Sequence, residues 1–385
     1  MTNPESPRHI RTLESLYEHL ENAMRIEHAT IPPYLTALYS LKPGSNIEAF
    51  HMIRTVVVEE MLHLTLVANV FNAVGGKIEV LTKEDFVPEY PGRLPGGVGY
   101  FSVDLDKFSL ETVKTFLNIE RFKHMDGTNG EELTNSLSDS KLSNLEGINF
   151  LLPIFGRKTN NLQDDGENDP EDDKPQYPSI GAFYEEIIDG LYYLHDKNPE
   201  TLFTGDESKQ ITREYYYDGA GEIFKVTDLI SAIRALRIIK FQGEGSENRT
   251  IYNDEGKLCH YYCFQQLQLG RYYVIDGEEY ELTDQPNNPT GDTFTVDWDA
   301  VYPVKKNVKL SDYQEGSELY DRGKKFEELY RCFLGEIQCS FNGSPEKLVP
   351  AVGKMFQLRD LANSLIRNPI PGDEYGCHAG PIYPY

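Results

Sequence analysis

Within Glu59-Glu60-Met61-Leu62-His63, Glu60 and His63 stand one helical turn apart in the middle of an apolar segment. The apolar positions run Ile53, Val56/Val57, Glu60, His63/Leu64, Val67, Val70/Phe71 and Val74, which is the 3.6-residue period of a helix with one buried face. Glu60 and His63 fall on that face, where an ionisable side chain is costly to bury without partners. A second segment repeats the anomaly. Leu13, Leu16, Leu20, Ala23/Met24, Glu27, Ile31, Tyr34 and Leu38 mark one face, with Glu27 in its middle. Two helices that each place a carboxylate on their core stripe do not describe a plain apolar bundle. Glu-x-x-His at i, i+3, with carboxylates from neighbouring helices, is how a bundle core builds a dinuclear metal site.

More carboxylates are available along the chain. A helix is predicted from Ser179 as N-cap, with Glu185 on the face of Gly181, Ile188 and Tyr192. Glu186, on the face of Asp189 and Tyr193, is the alternative. A further helix over about 227–244 ends in Gln242-Gly243-Glu244-Gly245, and Glu244 extends the line Val226, Ile230, Ile233, Phe241 that Arg237 interrupts. No His stands three residues beyond Glu244; the next is His260, at the start of a helical run to Leu269. The candidate ligands are therefore Glu27, Glu60, His63, Glu185, Glu244 and His260. Tyr34 and Arg237 are weaker candidates for lining the cavity. The competing expectation is ordinary ion pairing of each Glu with Arg25, Arg54, Arg234 or Arg237. His28 points about 100° away from Glu27 and is expected to pack or to support the site from outside; His51, His124, His195 and His378 are expected at the surface or in loops.

The blocks Ile26-Glu-His-Ala-Thr-Ile-Pro-Pro-Tyr-Leu-Thr-Ala-Leu-Tyr-Ser40, Glu59–His63, Phe183-Tyr-Glu185, Gln242–Gly245, His260-Tyr-Tyr-Cys-Phe264 and Ala379-Gly-Pro381 resemble the ferritin-like domain of iminophenylpyruvate dimer synthases, found in violacein- and rebeccamycin-type pigment pathways. The resemblance implies a ferritin-like four-helix bundle whose ligands are the six residues above. It also implies an amino-acid-derived substrate in secondary metabolism. This chain departs from a plain ferritin pattern, because Glu244 and His260 are sixteen residues apart. At 385 residues it is not expected to hold the additional regions of the pigment-pathway enzymes, so their dimerising activity is not carried over.

The expected fold is mainly α, a ferritin-like bundle of one domain over 1–385. Its helices are placed at about 10–40, 47–74, 179–196 and 227–244 plus 258–269, with a polar insertion at 126–176. C-terminal helices and a tail occupy 316–385. Aromatic alternation predicts small β-hairpins around 213–226, with its turn at Asp218-Gly219, and within a β-rich insertion at 270–306. Pro32-Pro33 is expected to disturb the first helix, and Gly75-Gly76 to end the second.

Hard carboxylates with imidazole favour two iron ions, with manganese or zinc able to take the same donors. The expected partners are dioxygen and a small-molecule substrate. A net charge of −25 argues against nucleic acid or an anionic membrane. Five cysteines without a tight pairing pattern suit a reducing cytoplasm. We expect no secretion signal and no membrane span, and homo-oligomerisation stays open. No phosphate loop, dinucleotide fingerprint or Ser/His/Asp nucleophile pattern is present. The leading expectation is an O2-dependent dinuclear-iron oxidase or oxygenase. A ferritin-type iron store and a non-catalytic metal-binding module are the alternatives.

Overall fold

Each long apolar stripe becomes a helix closed by the residues that flank it. The computed structural model describes residues 9–99, 101–121, 175–217, 219, 221–244, 251–253, 256–274 and 289–384. The expected polar insertion therefore lies almost wholly outside the described residues. Helix α1 spans Leu13–Ser40 and begins with a capping box between Thr12 and Ser15. Helix α2 spans Ile47–Ala73 and ends where Gly75 takes φ +79°, with the Gly76 N–H donating to the Phe71 carbonyl at 3.0 Å. The two helices run antiparallel, since Tyr17 Oη donates to the Val74 carbonyl while Glu27 meets His63 further along.

Helices α3 (Leu110–Ile119), α4 (Ile180–Lys197), α5 (Leu229–Gly243) and α6 (His260–Leu269) surround this hairpin. Ser109, Ser179 and Asp228 cap α3, α4 and α5 through side-chain oxygens, Ser179 as the sequence predicts. Helix α4 packs on α1 and α5, α5 packs on α2, and α6 packs on α2 and α3. A C-terminal pair, α7 (Glu318–Phe341) and α8 (Leu348–Ile366), lies against the outside of α1 and α2. One continuous apolar cluster links Ile10 at the start of α1 to Tyr383 near the chain's end.

Pro32 and Pro33 sit inside α1 without ending it. Pro33 has no N–H for the Ala29 carbonyl one turn back. The buried Tyr90 hydroxyl donates to that carbonyl at 2.7 Å, so the interruption is satisfied by a side chain from outside the helix.

Two expectations change. The predicted hairpins are not strands among the described residues. Residues 213–215 form a 3-10 turn, and among the described residues of the second insertion Arg271 and Thr293 form an isolated bridge, with 275–288 lying outside the described residues. Tyrosine-rich alternation reports a half-buried surface, and at Tyr215 and Tyr216 that surface packs against the core instead of pairing as a strand. Second, α2 is long and apolar enough to cross a membrane, with mean hydropathy 1.3, which the expectation of no such run overlooked. The fold buries 89 % of that window, so its apolar character belongs to the core helix of the bundle.

Candidate metal centre

Three helices and the C-cap of a fourth deliver ionisable groups to one buried point. Glu27 comes from α1, Glu59, Glu60 and His63 from α2, Glu120 from the C-cap of α3, and His260 from the first turn of α6. Each of these side chains belongs to a residue exposing 3 % of its surface or less. Gln242, near the end of α5, closes the group.

The geometry is ordered around Glu60. His63 Nδ1 lies 3.1 Å from Glu27 Oε2 and 3.6 Å from Glu60 Oε2. His260 Nδ1 lies 3.0 Å from Glu60 Oε1 and 3.5 Å from Glu120 Oε2. One carboxylate thus faces both imidazoles, an oxygen toward each. Glu27, Glu60 and His63 form one set of converging ligand atoms, and Glu60, Glu120 and His260 form another. The two imidazole rings stack at 5.4 Å.

The atoms turned away from this point are occupied. His63 Nε2 donates to Gln242 Oε1 at 2.8 Å, and His260 Nε2 donates to Glu59 Oε2 at 3.0 Å. Both rings therefore present Nδ1 inward. The Tyr184 hydroxyl donates to Glu27 Oε1, leaving Oε2 for the cluster. The Tyr34 hydroxyl donates to Glu120 Oε1 at 2.6 Å, which leaves Oε2 in the same way. Burial and the adjacent carboxylates push both phenols well above their usual range, so they remain donors.

No Lys or Arg reaches Glu27, Glu59, Glu60 or Glu120 among the described residues. Arg25 pairs with Asp85 and Arg234 with Glu222, both at the surface. With side chains alone, protons on the two imidazoles offset only part of the carboxylate charge. Burial lowers the His63 pKa, but hydrogen bonds and charge from Glu27 and Glu60 outweigh it and raise the value to about 10. Burial likewise raises Glu60, yet His260 and His63 overcome it and hold that carboxyl below the usual range. Glu27 is raised to about 7 by burial, against the pull of His63 and Tyr184. His260 Nδ1 is buried and aims at two carboxylates without a hydrogen bond of acceptable geometry. A divalent cation fits this donor set, because it would satisfy that atom and offset the buried anions together.

Of the six candidate ligands, Glu27, Glu60, His63 and His260 meet at this point, and Glu185 and Glu244 do not join them. Glu185 is half exposed and pairs with Lys240 at 2.8 Å. The residue on α4 that turns inward is Tyr184, one position and about 100° away, because the buried face runs through Tyr184, Ile187/Ile188 and Leu191 while Tyr192 is exposed. Glu186, the alternative, accepts from the backbone N–H of His9 at 2.6 Å and ties down the chain entering α1. Glu244 is buried, but its Oε1 accepts the Gly181 N–H at the start of α4 at 2.7 Å, and burial raises its pKa to about 7. A Cβ on Gly181 would lie 2.0 Å from Glu244 Oε2, so that carboxylate packs against a glycine backbone. Arg237 is exposed and lines no cavity at the cluster, since Ile230 on its predicted stripe is 80 % exposed and the inward face instead carries Leu236, Ile239 and Gln242. Tyr34 does touch the cluster, through Glu120.

Glu120 and Glu59 are the residues the sequence reading missed. Glu120 completes the stripe Val113, Phe116/Leu117, Glu120 on α3, the same signal that picks out Glu27 and Glu60. Glu59 carries no such signal, because adjacent acidic residues on a helix usually read as one buried and one solvated. His28 is buried outside the cluster, with Nε2 2.8 Å from the Tyr330 hydroxyl, and burial lowers its pKa to about 3. His378 bonds the Ile366 carbonyl and His51 is exposed; His124 lies outside the described residues.

A family model described as Ferritin-like matches residues 20–269, which holds every residue of this cluster. The chain belongs to the ferritin-like family. A crystal structure of a ferritin-like protein from Caulobacter vibrioides shares the fold at a TM-score of 0.59, with 22 % identity, covering 97 % of this chain and 99 % of that one. No curated protein matches the chain. The ferritin-like match ends at α6, so α7, α8 and the tail lie beyond it.

Proposed function

We propose that this ferritin-like protein is a dinuclear-iron, O2-dependent oxidase or oxygenase of a small organic substrate. The observation that carries the reading is Glu60, whose two oxygens face the inward nitrogens of His63 and His260 at 3.6 and 3.0 Å. Glu27 and His63 would hold one ion, Glu120 and His260 the other, and Glu60 would be shared. When bound, a pair of irons supplies redox chemistry that couples dioxygen reduction to oxidation of an organic group.

The chain's own part is to hold donors in place and keep water out. Tyr184 and Tyr34 each tie up one oxygen of a terminal carboxylate, so that a single oxygen points inward. Gln242 and Glu59 fix each imidazole with its Nε2–H outward. Phe116 and Phe264, buried against the Tyr34 ring, help to exclude bulk water from the Glu120 side. The resemblance to the iminophenylpyruvate dimer synthase family suggests an amino-acid-derived substrate, with imine oxidation or coupling as one form of the chemistry. The acidic balance and free thiols suit a cytoplasmic setting.

Elemental analysis of protein purified from iron-replete cells tests the reading. A pair of irons per chain, lost in Glu60→Ala, together with dioxygen consumption driven by an organic substrate, is the expected result. Iron-loaded protein that is inert to dioxygen in the presence of candidate substrates would overturn it. A closed multi-subunit shell that mineralises iron would instead favour storage.

A further inference from the structure

The two halves of the centre share one plan and differ in the acceptor that holds the imidazole. Each has a terminal carboxylate tied to a buried tyrosine and an imidazole held by an outer acceptor. On the His63 side that acceptor is the neutral amide of Gln242; on the His260 side it is the carboxylate of Glu59. Glu59 and Glu60 are consecutive on α2 and grip opposite edges of the His260 ring, Oε2 of one on Nε2 and Oε1 of the other facing Nδ1, each at 3.0 Å. A carboxylate that accepts the outer N–H makes the imidazole a stronger donor than an amide does.

The charge around the two halves is unequal as well. The His260 half lies among Glu59, Glu60 and Glu120, with the buried Glu244 beyond; a Cβ on Gly243, next to Glu244, would stand 3.4 Å from Glu120 Oε2. The His63 half has Glu27 and Glu60. The orphaned inward nitrogen, His260 Nδ1, is also on the more acidic side.

We infer that the centre is asymmetric: the Glu60–Glu120–His260 position takes a divalent cation first and holds it more tightly, with Glu59 as the positioning residue responsible. The inference rests on the dinuclear reading above. It makes the two ions chemically distinct, with the Glu27–His63 position the weaker and more readily emptied.

Anaerobic titration of the full chain with Co(II) alone, followed by its visible absorption and by calorimetry, tests this. The wild-type protein is expected to bind in two resolved steps. Glu59→Gln keeps the hydrogen bond but removes the charge, and should weaken the first step by about 10- to 100-fold while sparing the second. Gln242→Glu should narrow the gap between the steps. His63→Ala should retain the tight step, and His260→Ala should lose it. A single step in the wild type, an unchanged first step in Glu59→Gln, or a tight step that survives His260→Ala and disappears in His63→Ala would each overturn the asymmetry while leaving a dinuclear centre standing. Failure of the wild type to bind Co(II) would remove the dinuclear reading itself. Should Glu59→Gln not fold, as judged by circular dichroism, the two histidine variants still decide the order of filling.

Discussion

Single side chains in the cluster are constrained on both of their polar ends, which makes their removal unequal in effect. Glu60 serves both halves, so Glu60→Ala should abolish binding of both ions, whereas Glu27→Ala should leave the Glu120–His260 position occupied; elemental analysis of the two variants distinguishes these outcomes. Tyr184→Phe frees Glu27 Oε1 without altering packing volume. Loss of such an outer hydrogen bond is expected to reduce affinity at the Glu27–His63 position by about 10- to 100-fold, measured with the same cobalt titration. Tyr34→Phe should do the same on the other side. An equal loss at both positions in either variant would mean that the tyrosines act on the bundle as a whole rather than on one ligand.

Three positions outside the cluster test what holds the helices in place. Tyr90 supplies the donor that Pro33 removes from α1, so Tyr90→Phe leaves a buried carbonyl unpaired and should cost about 1–3 kcal/mol of stability, read as a lower urea midpoint. Metal stoichiometry should not change, because Tyr90 does not touch the cluster. Gly181 lets the first turn of α4 rest on Glu244, and Gly181→Ala forces a methyl group into that carboxylate. Overpacking of this kind is expected to cost about 1–3 kcal/mol. Gly335 in α7 has nothing within 4 Å of its would-be Cβ, so Gly335→Ala should stabilise by about 0.5–1 kcal/mol instead. Opposite signs for the two glycine variants in one denaturation series would confirm that contact, not helix propensity, rules at Gly181.

For the whole molecule, the C-terminal pair and tail act as an outer support for α1. The tail is pinned by Gly380, whose N–H and carbonyl both bond the Tyr313 hydroxyl, at 2.8 and 2.7 Å. Tyr383 is buried against Phe326 and Tyr330, and Tyr330 in turn bonds His28, the neighbour of Glu27. Tyr383→Ala should therefore destabilise the fold by about 3–5 kcal/mol, the usual cost of deleting a large core side chain. Thermal unfolding provides the measurement; a shift of a degree or less would show that the tail is not part of the cooperative unit.

The long helices were legible in the residues because burial leaves a periodic trace. Glu27, Glu60 and His63 stood out because an ionisable group on an otherwise apolar stripe is energetically unusual wherever the stripe leads. Glu120 carried the same trace on a shorter helix. The sequence also located the caps at Ser179 and Gly75-Gly76, since those depend on a few adjacent residues. The sequence reading turned Glu185, with Glu186 as its alternative, and Glu244 inward, whereas the structure turns in Tyr184 and Gln242; a step of one or two residues along a helix changes which side chain faces inward, and only the packing of α4 on α1 and of α5 on α2 sets that rotation. The role of Glu59 was equally out of reach. Its partner, His260, is some two hundred positions along the chain, and which carboxylate of the Glu59-Glu60 pair meets which edge of that ring is decided by helices packing in three dimensions, not by any local preference of the backbone.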